Sequence, residues 1–167
     1  MSVLVIILIS LVFSAFFSGM EIAFISANKL KVEVDKKSGG VSARLLSRFI
    51  HSEASFISTM LVGNNIALVV YGLSFAVLAE PLLLQLLPSV LQQEMWILLI
   101  QTIISSLIIL MFAEFLPKAL FRINPNRFLT AFALPVYIIY IVLSPLIWIT
   151  IGLSNLIMRY VFRVKIE

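Results

Sequence analysis

No charged side chain interrupts Met1 to Met20, and beyond Glu21 the apolar run resumes as far as Ala27. That is about the length a helix needs to cross a hydrocarbon core of roughly 30 Å. A secretory signal would open on basic residues and close on a small-residue cleavage site. No early Lys or Arg is present, so residues 2–27 are predicted to be a first transmembrane helix.

The pattern changes from Asn28 to Ser52, where Lys29, Lys31, Lys36, Lys37, Arg44 and Arg48 are set against Glu33 and Asp35. The stretch KKSGG reads as a turn. Apolar residues recur at helical spacing on either side of it: Leu30 and Val34 before, Leu45, Leu46 and Phe49 after. A pair of short amphipathic helices at the membrane surface is predicted over 28–52. Its excess of cations places this connection in the cytoplasm and the N-terminus outside.

A second apolar run covers residues 56–79, followed by EPLLLQLLPSVLQQE, which carries Glu80 and Glu94 and no Lys or Arg and suits the outer face. A third covers 96–116 and returns to KALFRINPNR, where Lys118, Arg122 and Arg127 again mark the cytoplasmic side. Phe128 to Met158 is apolar enough for a fourth span, yet basic residues stand at both of its ends. A single crossing would leave one basic end outside. Pro135 and Pro145 each remove a backbone donor and disfavour helix just before them. Residues 128–160 are therefore expected to form a Pro-kinked juxtamembrane helix with both ends cytoplasmic, Tyr137, Tyr140 and Trp148 favouring the interface. The expected fold class is an all-α integral membrane protein, a single transmembrane domain of three spans with short cytoplasmic-side helices.

Composition agrees. The 167 residues are 62% hydrophobic and 12% charged, and mean hydropathy is +1.14; a soluble domain averages about 45–50% apolar and 25% charged. The net charge of +4 sets orientation rather than nucleic-acid binding, since no soluble basic face exists to carry it. With no Cys and one His, His51, disulfides, thiolate ligands and His-rich metal sites are excluded within one chain. The same poverty argues against an enzyme using nucleophilic or zinc chemistry.

The polar residues left inside the spans are few: Ser14, Ser18 and Glu21; Asn64 and Asn65; Gln101, Ser105, Ser106 and Glu114. An ionisable residue within a span must face a cavity or a partner. In FFSGMEIAF a helix brings Ser18 and Glu21 onto neighbouring parts of one face, while Gly19 admits close backbone approach. In VGNN the two asparagines lie about 100° apart round a helix and cannot both address one neighbour. They serve either as interhelical glue, worth around 1 kcal/mol, or as oxygen ligands to a hard cation, with a carbonyl near Gly63 freed if the helix is locally irregular. In AEFLPKAL, Pro117 disturbs the turn holding Glu114, and Lys118 is a solvated interfacial cation or a counter-charge.

In this order and spacing, FFSGMEIAFISANKLK, LVGNNIA and EFLPKAL resemble the FSG-x-E, GNN and G-E-x-x-P-K patterns of the CorC/cyclin M (CNNM) transmembrane domain, and the resemblance covers essentially the whole chain. It implies a dimeric magnesium transporter of the cell membrane, exporting Mg²⁺ against inward Na⁺ by alternating access, with a juxtamembrane helix forming a belt at the cytoplasmic side. It further implies Ser18, Asn64 and Glu114 as side-chain ligands, with main-chain oxygen near Gly63, and Glu21 and Asn65 in supporting or Na⁺-binding roles. Members usually continue into cytosolic CBS domains, which are absent from this chain, so the sequence reads as a piece of something longer with a cytoplasmic C-terminus. Two positions depart from the pattern: Ala113 stands where Gly usually precedes Glu, and Leu68 where many members have a second Asn. The alternative to transport is a membrane-anchoring and dimerisation module, in which Asn64 and Glu114 are only interhelical hydrogen-bond partners.

Overall fold

A computed structural model describes residues 2–37 and 40–160, except for the side chains of residues 35–37, 155 and 159–160. The turn expected at Ser38 and Gly39 and the basic tail from Val161 to Glu167 lie outside the described residues. The described elements are helical throughout: α1 (Ser2–Ser26), α2 (Lys29–Lys37), α3 (Val41–His51), α4 (Glu53–Leu86), a 3₁₀ turn (Ser89–Leu91), α5 (Glu94–Ile108), a π-helical segment (Ile109–Phe115), α6 (Leu116–Ile123) and α7 (Pro125–Tyr160). The predicted all-α membrane fold is what is found, including the pair of short helices.

Among the described residues, four helical stretches are long and apolar enough to cross a membrane: Ser2–Ser26, Glu53–Leu86, Glu94–Ile123 and Pro125–Met158. The expected count of three spans is thus not confirmed. Helix α4 also continues past the expected end of its span, through Pro81 to Leu86. In apolar surroundings the helix is the one conformation that pairs nearly all backbone groups, so a single missing donor does not stop it.

For the same reason Pro135 and Pro145 both lie inside α7, a single helix over Pro125–Tyr160, where one helix over 128–160 was expected. Pro145 cannot donate to the carbonyl of Ile141, and the Ser144 hydroxyl donates to that oxygen instead, at 2.8 Å. The first half of α7 packs beside α1 and α4: Phe132 meets Phe16 edge-on at 5.3 Å, and farther along Ile139 and Leu143 share a cavity wall with Ile9, Phe13 and Val70.

Packing explains that path. Phe24 of α1 stacks on Phe56 of α4 at 4.0 Å, and Phe49 of α3 meets Phe56 edge-on at 5.2 Å. Val32, Leu46, Leu129, Ala133 and Val136 complete one core that joins the amphipathic pair to α1, α4 and α7. Asn28 starts α2 by accepting a hydrogen bond from the Lys31 N–H at 3.1 Å. Its own N–H donates to Asn126 Oδ1 at 2.9 Å, tying α2 to the start of α7. On the polar side Arg48 donates to the Tyr137 hydroxyl at 2.9 Å, a second tie between α3 and α7. These contacts hold α2 and α3 against the ends of α1, α4 and α7.

Candidate functional site

The antiparallel register of α1 and α4 is set by three contacts: Ser14 with Asn64, Phe17 with Gly63 and Phe24 with Phe56. The Ser14 hydroxyl donates to Asn64 Oδ1 at 2.6 Å. Ser18 lies one turn farther along the same face of α1. It is 1% exposed, and its hydroxyl has no hydrogen-bond partner. In an enclosed apolar setting that oxygen costs about 1–3 kcal/mol unless something binds it.

Two glycines permit this approach. A Cβ on Gly63 would lie 2.5 Å from the Phe17 ring, and one on Gly19 would lie 2.7 Å from the Phe121 ring of α6. The first glycine closes α1 on α4 and the second closes α1 on α6, so the strip between Ser14 and Gly19 is held from both sides. Helix α4 is α-helical through Gly63, so the expected local irregularity is not there. The Gly63 carbonyl within that ladder retains a second lone pair.

The irregularity lies in the third membrane stretch. Residues Ile109–Phe115 form a π-helix, and the Leu116 N–H reaches back five residues to the Met111 carbonyl. Pro117 is the local cause: it has no N–H for the Ala113 carbonyl, and its ring crowds that oxygen. One extra residue per turn is accommodated, an arrangement frequent at functional sites. The π segment packs on α1, with Ala113 completely buried. The small side chain at this departure from the family pattern is therefore enclosed, as a glycine would be.

Register places Glu114 at the level of Ser14 and Asn64 in two ways. Phe121 faces Gly19, and on these parallel helices Glu114 is seven residues, about 10 Å, back from Phe121, towards Ser14. Tyr71 of α4 is turned towards Ser105 of α5; seven residues back along α4 and seven forward along α5 bring Asn64 opposite residue 112. The carboxylate itself does not join the group. It is about one-third exposed and forms an ion pair with Lys118 at 3.8 Å, so Lys118 acts as the counter-charge. No hydrogen bond among the described residues links Glu114 to Ser18 or Asn64.

The structure thus joins Asn64 to α1 beside Ser18, puts Glu114 at their depth and leaves it paired elsewhere. Glu21 is half-buried and Asn65 is exposed, about 100° round the helix from Asn64. Leu68, one turn beyond Asn64, is half-buried and apolar. Ser14 is the member that the motifs missed, although Ser10, Ser14 and Ser18 recur at helical spacing and all three are buried. Among the described residues no three His, Cys, Asp or Glu side chains gather as a metal cluster. The donor set is one carboxylate with neutral hydroxyl, amide and carbonyl oxygens, the chemistry of a hard cation rather than a soft one.

Comparison with known proteins follows the same lines. The chain is 30% identical over 156 residues to the UPF0053 protein MG146 of Mycoplasma genitalium, covering 88% of this chain and 35% of that protein. It is 24% identical over 149 residues to the UPF0053 inner membrane protein YfjD of Escherichia coli, covering 87% of this chain and 32% of that one. The chain spans about a third of the length of these curated relatives. A family profile described as the cyclin M transmembrane N-terminal domain matches residues 4–165, nearly the whole sequence. This multi-pass membrane chain belongs to the cyclin M (CNNM) transmembrane domain family.

Proposed function

We propose that this domain binds Mg²⁺ between α1, α4 and the π segment and moves it across the membrane. The observation that carries the reading is the Ser18 hydroxyl, fully enclosed and without a partner, one turn from the Ser14–Asn64 bond. Membership of the cyclin M family, whose members form a membrane-transport family, supports it. Mg²⁺ takes six oxygens at about 2.0–2.1 Å and gives up water reluctantly. A site inside the bilayer must therefore offer several protein oxygens together. Ser18, Asn64 and the Gly63 carbonyl supply neutral ones; Glu114 supplies charge once it exchanges Lys118 for the cation.

Transport is proposed as export by alternating access, driven by inward Na⁺, with Glu21 and Asn65 orienting ligands or serving the coupling ion. The acting unit is proposed to be a homodimer whose longer chain continues into cytosolic CBS domains. The basic connections at α2–α3 and at Lys118 to Arg127 then face the cytoplasm, and the N-terminus faces outward.

Isothermal titration of Mg²⁺ into detergent-purified protein, beside Glu114→Ala and Asn64→Ala, tests this. Saturable binding in the parent that both substitutions abolish, with folding retained, is the expected result; a folded parent that binds nothing refutes it. The anchoring and dimerisation alternative draws on α5, whose Leu98, Leu99, Ile103 and Leu107 are exposed as an apolar face for a second copy. It predicts that same null titration.

A further inference from the structure

Helix α7 is closed against the domain at two levels and stands off between them. Val136, Ile139, Leu143 and Ile147 recur at helical spacing along one face. Val136 and Ile147 are completely buried. Ile139 and Leu143 are only half-buried and line a cavity of about 380 Å³ that α7 shares with α1 and α4. Its other walls include Ile9 and Phe17 of α1 and Gly63 and Ala67 of α4. Gly63 and Ala67 stand about one turn apart, and their short side chains leave space that α7 does not fill. The cavity is thus a gap in a packed seam, and atoms lining an empty gap forfeit dispersion contacts on one side.

Location, polarity and size decide what fills it. The walls belong to stretches long and apolar enough to cross a membrane. Ile9, Ile66 and Val142 at the edge are exposed, so the mouth opens on hydrocarbon. Ser10 is the one polar side chain in the lining. A bound water needs two to four polar partners, and an apolar cavity of about 150 Å³ stays dry and takes up benzene instead. From Ile9 to Phe17 the cavity runs about 12 Å along α1. A helix of that length, about 10 Å across, displaces roughly 900 Å³, more than twice the space present, so no helix of a second copy fits inside. A single unbranched hydrocarbon chain is slender enough.

We propose that an acyl chain of a membrane phospholipid occupies this gap between α7 and the α1–α4 pair as a resident part of the domain. There it lies against Phe17, the ring that fills the space above Gly63, and so couples α7 to the contact that sets the α1–α4 register. The proposal stands independently of the transport reading.

The full chain is placed in nanodiscs of phosphatidylcholine carrying a photoactivatable diazirine within one acyl chain, irradiated, digested and mapped by mass spectrometry. Phe17 and Ala67 are 5% and 7% exposed, as closed to bulk lipid as Ile97 of α5 at 6%, which lies outside the cavity. Insertion at Phe17 and Ala67 is expected at least ~10-fold above that at Ile97, because only a chain inside the gap comes within the contact distance of about 4.0–4.5 Å. The exposed Leu99 and Ile103 show that the reagent reacts. Ala67→Phe fills the gap and is expected to abolish insertion at Phe17 while Leu99 and Ile103 remain labelled; Ala67→Leu takes its place if the ring impairs folding. Labelling of Phe17 and Ala67 only at the Ile97 level, with Leu99 and Ile103 labelled, overturns the proposal; a second copy sealing the mouth gives that result. Undiminished insertion at Phe17 in the folded filling variant overturns it as well.

Discussion

Ser18→Ala is expected to make the metal-free protein more stable and the Mg²⁺-bound protein less so. The side chain is 1% exposed and its hydroxyl is unpartnered, so the parent carries a desolvation cost of about 1–3 kcal/mol that Ala removes. Loss of one oxygen leaves a gap smaller than a methylene, costing about 0.5 kcal/mol. The net gain is about 0.5–2.5 kcal/mol. At about 2–4 °C per kcal/mol for a chain of this length, the melting midpoint in chelator rises by roughly 1–10 °C. At a Mg²⁺ concentration of ~100 Kd the parent gains about 2.7 kcal/mol from binding, whereas the variant has lost a ligand and gains far less. The order of the two midpoints should therefore reverse between chelator and saturating Mg²⁺. Thermal unfolding in detergent, followed by size-exclusion, reads both. A variant that melts below the parent in chelator would show that the hydroxyl is already satisfied, and equal gains from Mg²⁺ would show that it is no ligand. Either result refutes the argument.

Gly63→Ala places a methyl 2.5 Å from the Phe17 ring, where ordinary contact begins at 3.4 Å, so about 1–3 kcal/mol of stability should be lost. Phe17→Leu removes the three ring atoms in conflict, and the double variant should be less destabilised than the sum of the singles in a thermal double-mutant cycle. Ser14→Ala removes one interhelical hydrogen bond, at 2.6 Å, and should cost about 0.6 kcal/mol and no more than ~1.7, read in the same melts. Lys118→Met breaks a partly exposed ion pair and should change stability by no more than ~0.5 kcal/mol. By freeing Glu114 it should tighten Mg²⁺ binding, whereas Glu114→Gln should abolish it; titration calorimetry distinguishes the two directions.

Much of this protein is legible one residue at a time. The uncharged run to Met20, the basic block from Lys29 to Arg48 and the apolar stretches after it are local facts, and transfer out of water acts on each segment separately. Helix then follows, because only helices and closed barrels pair the backbone in lipid and these runs are about twice the length of a barrel strand. The polar residues of the candidate site were legible for the same reason: Ser18, Asn64 and Glu114 stand out against their surroundings. What each one faces was not legible. Whether Asn64 meets Ser14 depends on the register of two helices fifty residues apart. That register is set by Phe17 filling the space above Gly63 and Phe24 stacking on Phe56.

The course of α7 shows the division most clearly. Its sequence carries two prolines, and the donors they remove are local losses that weaken the helix. One compensation is itself local, the Ser144 bond to the Ile141 carbonyl three residues back; only the tertiary structure supplies the other, the burial of Leu129, Ala133 and Val136 against α1, α3 and α4. The π segment divides the same way. Pro117 announces a disturbance in the turn before it, and packing on α1 decides that it is absorbed as an extra residue per turn rather than a kink. The sequence by itself determined which segments leave water and which polar groups they carry, because hydration acts segment by segment. Tertiary structure decided which of those polar groups meet, because helix register is a collective outcome of packing.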